Sequence, residues 1–260
     1  MNTLLLMVLP YKEQYGSFNK ISLILFKIAQ PTAQVLFFIL VNYSNNHVDN
    51  VGNLVILNSI LSSCIYSTIF AAYSLNDERL EGTLKFTIMS KKTVLQIIAL
   101  RSCSSIVDGL VTMFVPIGLA FIIFGIKFTS YQLIIALACF LLGFLVAISL
   151  SLLIGAIAVV STNLNLFMNI LIFLFNFTSG AIFSLNLLPK WLKILSKFMP
   201  LNSTISLAKF LLKRQEFTIN TVLGYVVKEL LLIFIVIILT SFTYKYFEQK
   251  SLYKGSLDFY

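Results

Sequence analysis

The residue types that most often do chemistry are few in this chain and far apart. Three cysteines, Cys64, Cys103 and Cys139, form no Cys-x-x-Cys pair and lie tens of residues from one another, so their spacing suggests neither a zinc site nor a redox couple. They read as small buried apolar side chains. His47 is the single histidine, which leaves a His-x-x-x-His metal pair or a His-centred triad short of parts. No Gly-x-x-x-x-Gly-Lys-Ser/Thr run occurs, so ATP phosphates cannot be cradled by the P-loop mechanism. If ATP is used, another polypeptide binds it. Two places do put ionisable groups inside apolar stretches. Asp108 has two readings, proton coupling or an ion pair with Arg101 two turns earlier or with another span. Lys228 and Glu229 are adjacent and cannot face each other on a helix, so each needs a partner elsewhere or the headgroups.

What must position these groups is set by composition. Of 260 residues 58% are hydrophobic and 11% charged, 24 are Phe, and the mean hydropathy is +0.94. A soluble domain is about 45 to 50% apolar and about 25% charged, and a disordered chain lacks such apolar content altogether. The solvent of this fold is therefore lipid. A net charge of +9 in so apolar a chain fits cytoplasmic loops and anionic headgroups rather than nucleic acid.

At about 20 apolar residues per crossing, six spans are predicted: 23–41, 54–75, 106–126, 133–159, 166–184 and 221–244. Six spans put both termini on one side. Met1 to Pro10 is too short to span and lacks a basic leader, and Tyr11 to Lys27 carries Lys12, Lys20 and Lys27 among aromatics, as an N-terminal helix lying on an anionic leaflet does. The Asn76 to Ser105 loop, with Arg79, Lys85, Lys91, Lys92 and Arg101, and the tail, with Lys245, Lys250 and Lys254, belong in the cytoplasm. Leu187 to Arg214 holds Lys190, Lys193, Lys197, Lys209, Lys213 and Arg214 where this topology demands an external position. The conflict is eased if 187–199 is a helix with Leu188, Trp191, Leu192, Leu195 and Phe198 on one face and Lys190, Lys193 and Lys197 opposite, lying in the headgroup layer.

Polar and small residues then mark candidate working faces. Gly143, Ala147, Ser151 and Gly155 repeat at i+4 in the fourth span, a device for close helix packing or the wall of a lumen-facing groove. Asn58, Ser62 and Tyr66 form a stripe on the second span, and Asn165, Asn169 and Asn176 share an arc of the fifth. In lipid such stripes must face protein or water, either as interhelical hydrogen bonds or as a pathway. In the long loop, Leu80, Leu84 and Ile88 make an apolar ridge beside a Glu81–Lys85 pair at i,i+4, suited to a partner's groove or to the membrane surface.

The run Glu78-Arg79-Leu80-Glu81-Gly82-Thr83-Leu84 followed by Ser90-Lys91-Lys92-Thr93 resembles the coupling loop of ABC-2 type permeases, the membrane subunits of a class of ABC exporters. Downstream, Ser179-Gly180-Ala181-Ile182-Phe183-Ser184, Leu188-Pro189-Lys190-Trp191-Leu192 and Met199-Pro200-Leu201 look like that family's fifth-span end, external re-entrant helices and Pro-Leu signature, with Phe183-Ser184 where members often carry Phe-Pro. The resemblance implies an all-α polytopic fold forming one domain over 1–260: six transmembrane helices, a cytoplasmic coupling helix between the second and third, and external re-entrant or interfacial helices between the fifth and sixth. It implies a bacterial plasma-membrane protein with both termini cytoplasmic. Two permease copies or paralogues pair, and ATP and Mg sit on a separate ABC ATPase, leaving this chain no cofactor and no enzymatic role. Glu78, Arg79, Glu81, Gly82, Thr83 and Leu84 become the ATPase contacts, and Asn58, Ser62, Asn169, Phe173 and Asn176 the pathway-lining candidates. Lys-, Ile- and Asn-rich usage points to a low-GC Gram-positive source, where similar exporters carry antimicrobial peptides, including phenol-soluble modulins. Amphipathic peptides or hydrophobic compounds are the cargo this favours, with polysaccharide or drugs as the alternative and a proton-coupled secondary transporter as a different class.

Overall fold

A computed structural model describes residues 29, 31–37, 51–80, 94–158, 164–182, 185, 188–213 and 219–254. These residues are helical with short connections, and no strand occurs among them. A short helical stretch covers 31–37. Eight further helices follow: α1 (Val51–Leu80), α2 (Val94–Ser104), α3 (Ile106–Phe124), α4 (Ser130–Ala158), α5 (Leu164–Thr178), α6 (Lys190–Phe198), α7 (Asn202–Leu212) and α8 (Ile219–Lys254). Four stretches among the described residues are long and apolar enough to cross a bilayer: Val51–Ile69, Gln96–Phe124, Ser130–Ile157 and Ile219–Tyr244. Most of the 23–41 span, the N-terminal surface helix and the chain end lie outside the described residues.

Helix α4 is the axis of the bundle, packing on α1, α8, α2 and α7, while α1 also packs closely on α3. Its start is fixed by a reciprocal cap. The Gln132 backbone N–H donates to Thr129 Oγ1 at 3.3 Å, and the Thr129 N–H donates to Gln132 Oε1 at 2.9 Å, satisfying two helix-end donors. Gln132 Nε2 also donates to Asn53 Oδ1 at 2.8 Å, so α1 and α4 begin at the same end and run parallel. We expect Thr129→Ala to cost about 1 kcal/mol in thermal or denaturant unfolding; unchanged stability would show that water replaces this cap at no cost.

Two span boundaries differ from the sequence expectation. The third crossing starts earlier than residue 106, because α2 joins α3 through a single turn residue, Ser105, and Gln96–Phe124 forms one apolar stretch. Arg101 makes the sequence look like loop, yet it is buried and ion-paired, which removes the cost that a hydropathy count assigns to it. The Ser105 hydroxyl stitches this joint by donating to Ser102 O at 2.7 Å and Ser67 O at 3.3 Å. Gly109 then allows α3 to press on α1 and α4: a Cβ there would lie 2.6 Å from Ser67 Oγ and 2.9 Å from Phe140 Cζ. The fifth apolar helix ends earlier than residue 184. It stops at Thr178 because Gly180, two residues on, adopts φ 77°, the left-handed conformation that ends helices. Its 15 described residues measure about 22 Å.

Candidate functional site

Two ends and one side of the bundle carry the functional candidates. At the end opposite Asn53, Glu78 on the last turns of α1 forms a salt bridge with Arg101 of α2, their side chains only 15% and 7% exposed. The ion pair described for Arg101 is thus with Glu78, a residue 23 positions earlier. Asp108 itself is buried in the first turn of α3, where a negative charge suits the helix dipole. Glu78 therefore braces α1 against α2. Arg79 falls on the last turn of α1, while Glu81, Gly82, Thr83 and Leu84 lie outside the described residues.

The five pathway candidates fall into two groups. Asn58 and Ser62 are buried inside the subunit. Asn58 Nδ2 donates to Leu54 O at 2.9 Å and Ser62 Oγ to Ser59 O at 3.1 Å, both within their own helix. Asn58 Oδ1, Ser59 Oγ and Tyr66 OH, on the same side of α1, are buried with no hydrogen-bond partner. Asn169 and Phe173, by contrast, are exposed on α5, where Leu166, Asn169, Ile170, Phe173 and Leu174 line a shallow open groove of about 520 Å³. Phe177 extends that face one turn further, its ring centroid 4.4 Å from that of Phe173. Asn176 is half-buried and accepts a hydrogen bond from Gln34 Nε2 at 3.1 Å, tying α5 to the 31–37 stretch. The small-residue face of α4 is wholly buried within the subunit. Gly143 meets Cys64 of α1 and Thr204 of α7, and the Ser151 hydroxyl bonds that of Ser102 on α2, which is the packing role.

The segment between α5 and α8 folds back into the bundle. At one end of α7, Leu211 O accepts from Tyr131 OH at 3.3 Å, beside the first turn of α4. At the other, Leu201 and Thr204 sit against Gly143, thirteen residues into α4, and bond Glu229, ten residues into α8. At 1.5 Å per residue α7 thus reaches about 15 to 20 Å below the rim. Lys209 donates to the Gly180 carbonyl, closing the α5 end over α7, and burial, with Lys213 nearby, holds its ammonium below the usual lysine range. Preceding it, α6 points Trp191, Ile194, Leu195 and Phe198 outward while burying Ser196; Lys190 and Lys197 are exposed. Leu192 and Lys193 are only half-exposed, so the apolar face is turned away from the protein and Ile194 joins it. Sequence reasoning asked for a partner for Glu229 but did not find it, since the partner is backbone created by the fold. The signal it had was a single carboxylate within the apolar window 219–244.

Several classes of polytopic helical protein share this outline. Residues 11–244 match the model of the ABC-2 family transporter protein. The chain belongs to the ABC-2 transporter family. No curated protein matches it. Membership makes this chain a membrane component of an ABC transporter. Among the described residues of this ABC-2 permease no group of three or more His, Cys, Asp or Glu side chains could hold a metal.

Proposed function

We propose that this chain is one half of an ATP-driven exporter in a bacterial plasma membrane, pairing with a second copy or a paralogue and resting its 78–84 segment on a separate ABC ATPase. The observation that carries the reading is the match over 11–244 to a family of membrane subunits, in a chain that has no P-loop of its own. Glu78 and Arg101 support the coupling role of this end: their ion pair joins α1 and α2, so a push on the loop between those helices is felt by both. On this reading the Asn53 end faces outward, α7 is a re-entrant helix, and α6 lies in the outer headgroup layer with its aromatic and aliphatic face in lipid. The α5 groove, apolar but for Asn169, supports amphipathic peptides or hydrophobic compounds as cargo, and the orphaned polar atoms of Asn58, Ser59 and Tyr66 support a path along α1 that opens during transport.

The test is reconstitution with a candidate ATPase and measurement of ATP hydrolysis and cargo flux. Leu84→Ala is expected to lower flux at least tenfold while the permease keeps its fold and spans. Flux that persists without ATP, driven by an imposed proton gradient and lost in Asp108→Asn, would replace this reading with a secondary transporter.

A further inference from the structure

Glu229 is 0% exposed, sits within the crossing Ile219–Tyr244, and is used by nothing in the coupling or pathway argument. One of its oxygens, Oε1, accepts both the Leu201 backbone N–H at 3.0 Å and the Thr204 hydroxyl at 2.9 Å. Those donors are the backbone N–H of the N-cap residue and the side-chain hydroxyl of the third residue of α7, so a carboxylate from another helix accepts the N-cap N–H that the glutamate of a capping box otherwise takes. Leu201 adopts φ 73°, a left-handed conformation that a leucine holds only when its surroundings impose it. The Leu201 side chain is buried, near where a Gly143 Cβ would stand, as are Cys64 Sγ and Thr204 Cγ2. Four helices, α1, α4, α7 and α8, thus meet where the deep end of α7 is seated. The polar tie at that point runs through one carboxylate oxygen.

We infer that Glu229 is a positioning residue, a latch from α8 that seats the deep end of α7 on α1 and α4. Its role in transport rests on the exporter reading: a shift of α8 along its axis carries Oε1 away from Leu201 and Thr204 and frees α7, so that coupling-end motion reaches the opposite end of the bundle. The latch itself is tested without ATPase or cargo, so its failure is distinct from failure of that reading. In the full chain with Cys103→Ser and Cys139→Ala, native Cys64 is paired with Leu201→Cys, which keeps the backbone donor, and disulfide yield under mild oxidation is read by mass spectrometry. Glu229→Gln, which keeps an acceptor at the same reach, is expected to give the wild-type yield. Glu229→Ala is expected to lower it at least fivefold. So is Glu229→Asp, which keeps the carboxyl group but withdraws it by one methylene, and which serves if the Ala variant does not fold. Equal yields in all four proteins, an equal loss in Gln and Asp, or no disulfide with native Glu229 would each overturn the inference.

Discussion

Glu78→Ala is expected to destabilise the isolated permease by about 3 to 5 kcal/mol, because it strips a carboxylate from a guanidinium that lies within the protein. The Arg101 side chain is 7% exposed and its helix packs on α1 and α4, so it cannot recover full hydration by a rotamer change. The same reasoning predicts that the pair is less valuable than its breakage suggests: Glu78→Gln combined with Arg101→Met should recover more than half of the loss, since the buried guanidinium is then removed together with the carboxylate. Thermal unfolding in detergent across this double-mutant cycle provides the measurement. A Glu78→Ala protein that melts with the wild type would show that water reaches this pair and that α2 is not braced by it. The result also bears on coupling. Loss of ATPase stimulation in Glu78→Ala reports a loosened bundle end as much as a lost partner contact, which is why Leu84→Ala, in the apolar ridge of the motif, is the cleaner probe.

Gly143→Leu is expected to be at least as damaging, about 4 kcal/mol or more, and to leave α7 unable to dock. A Cβ at this position would stand 2.6 Å from Cys64 Sγ, 3.4 Å from Thr204 Cγ2 and 3.6 Å from Leu201 Cδ2, so even a methyl group requires α1 or α7 to move. For Gly143→Ala the overpacking cost is about 1 to 3 kcal/mol, and Cys64→Ala, which removes the closest atom, should relieve most of it. The leucine has no such relief, because Thr204 and Leu201 close the other side. Melting temperature and monodispersity of the four proteins decide the point. A Gly143→Leu permease with wild-type stability would mean that this face of α4 opens onto a groove after all.

Much of this architecture was legible in one dimension. Length and hydropathy placed four of the six expected crossings on helices that the structure makes long and apolar, because burial in lipid is a property of a window of residues and needs no knowledge of neighbours. The i+4 run from Gly143 to Gly155 announced close packing for the same reason, since small residues at one helical spacing admit another backbone wherever it comes from. Amphipathicity of 187–199 located α6 to within three residues at its start. Pro189, expected in its first turn, stands one place earlier at its N-cap, and Pro200 follows its end, as a residue without an N–H should.

What the tertiary structure alone decided was which charges and polar atoms meet. Arg101 looked like a loop residue and a partner for Asp108, because sequence proximity is the only distance a sequence offers. The fold pairs it with Glu78 of α1, and the third apolar stretch reaches back to Gln96. The five pathway candidates looked alike as polar or aromatic residues in apolar helices. Packing on α4 buries Asn58 and Ser62, while α5, held at the margin of the bundle, leaves Asn169 and Phe173 exposed. Glu229 could be seen to need a partner, but the partner is the backbone of a helix end that exists only once α7 has turned back into the bundle. Hydrophobic periodicity is a one-body property and survives in the linear chain; hydrogen bonds and ion pairs are two-body properties, and the second body is supplied by the fold.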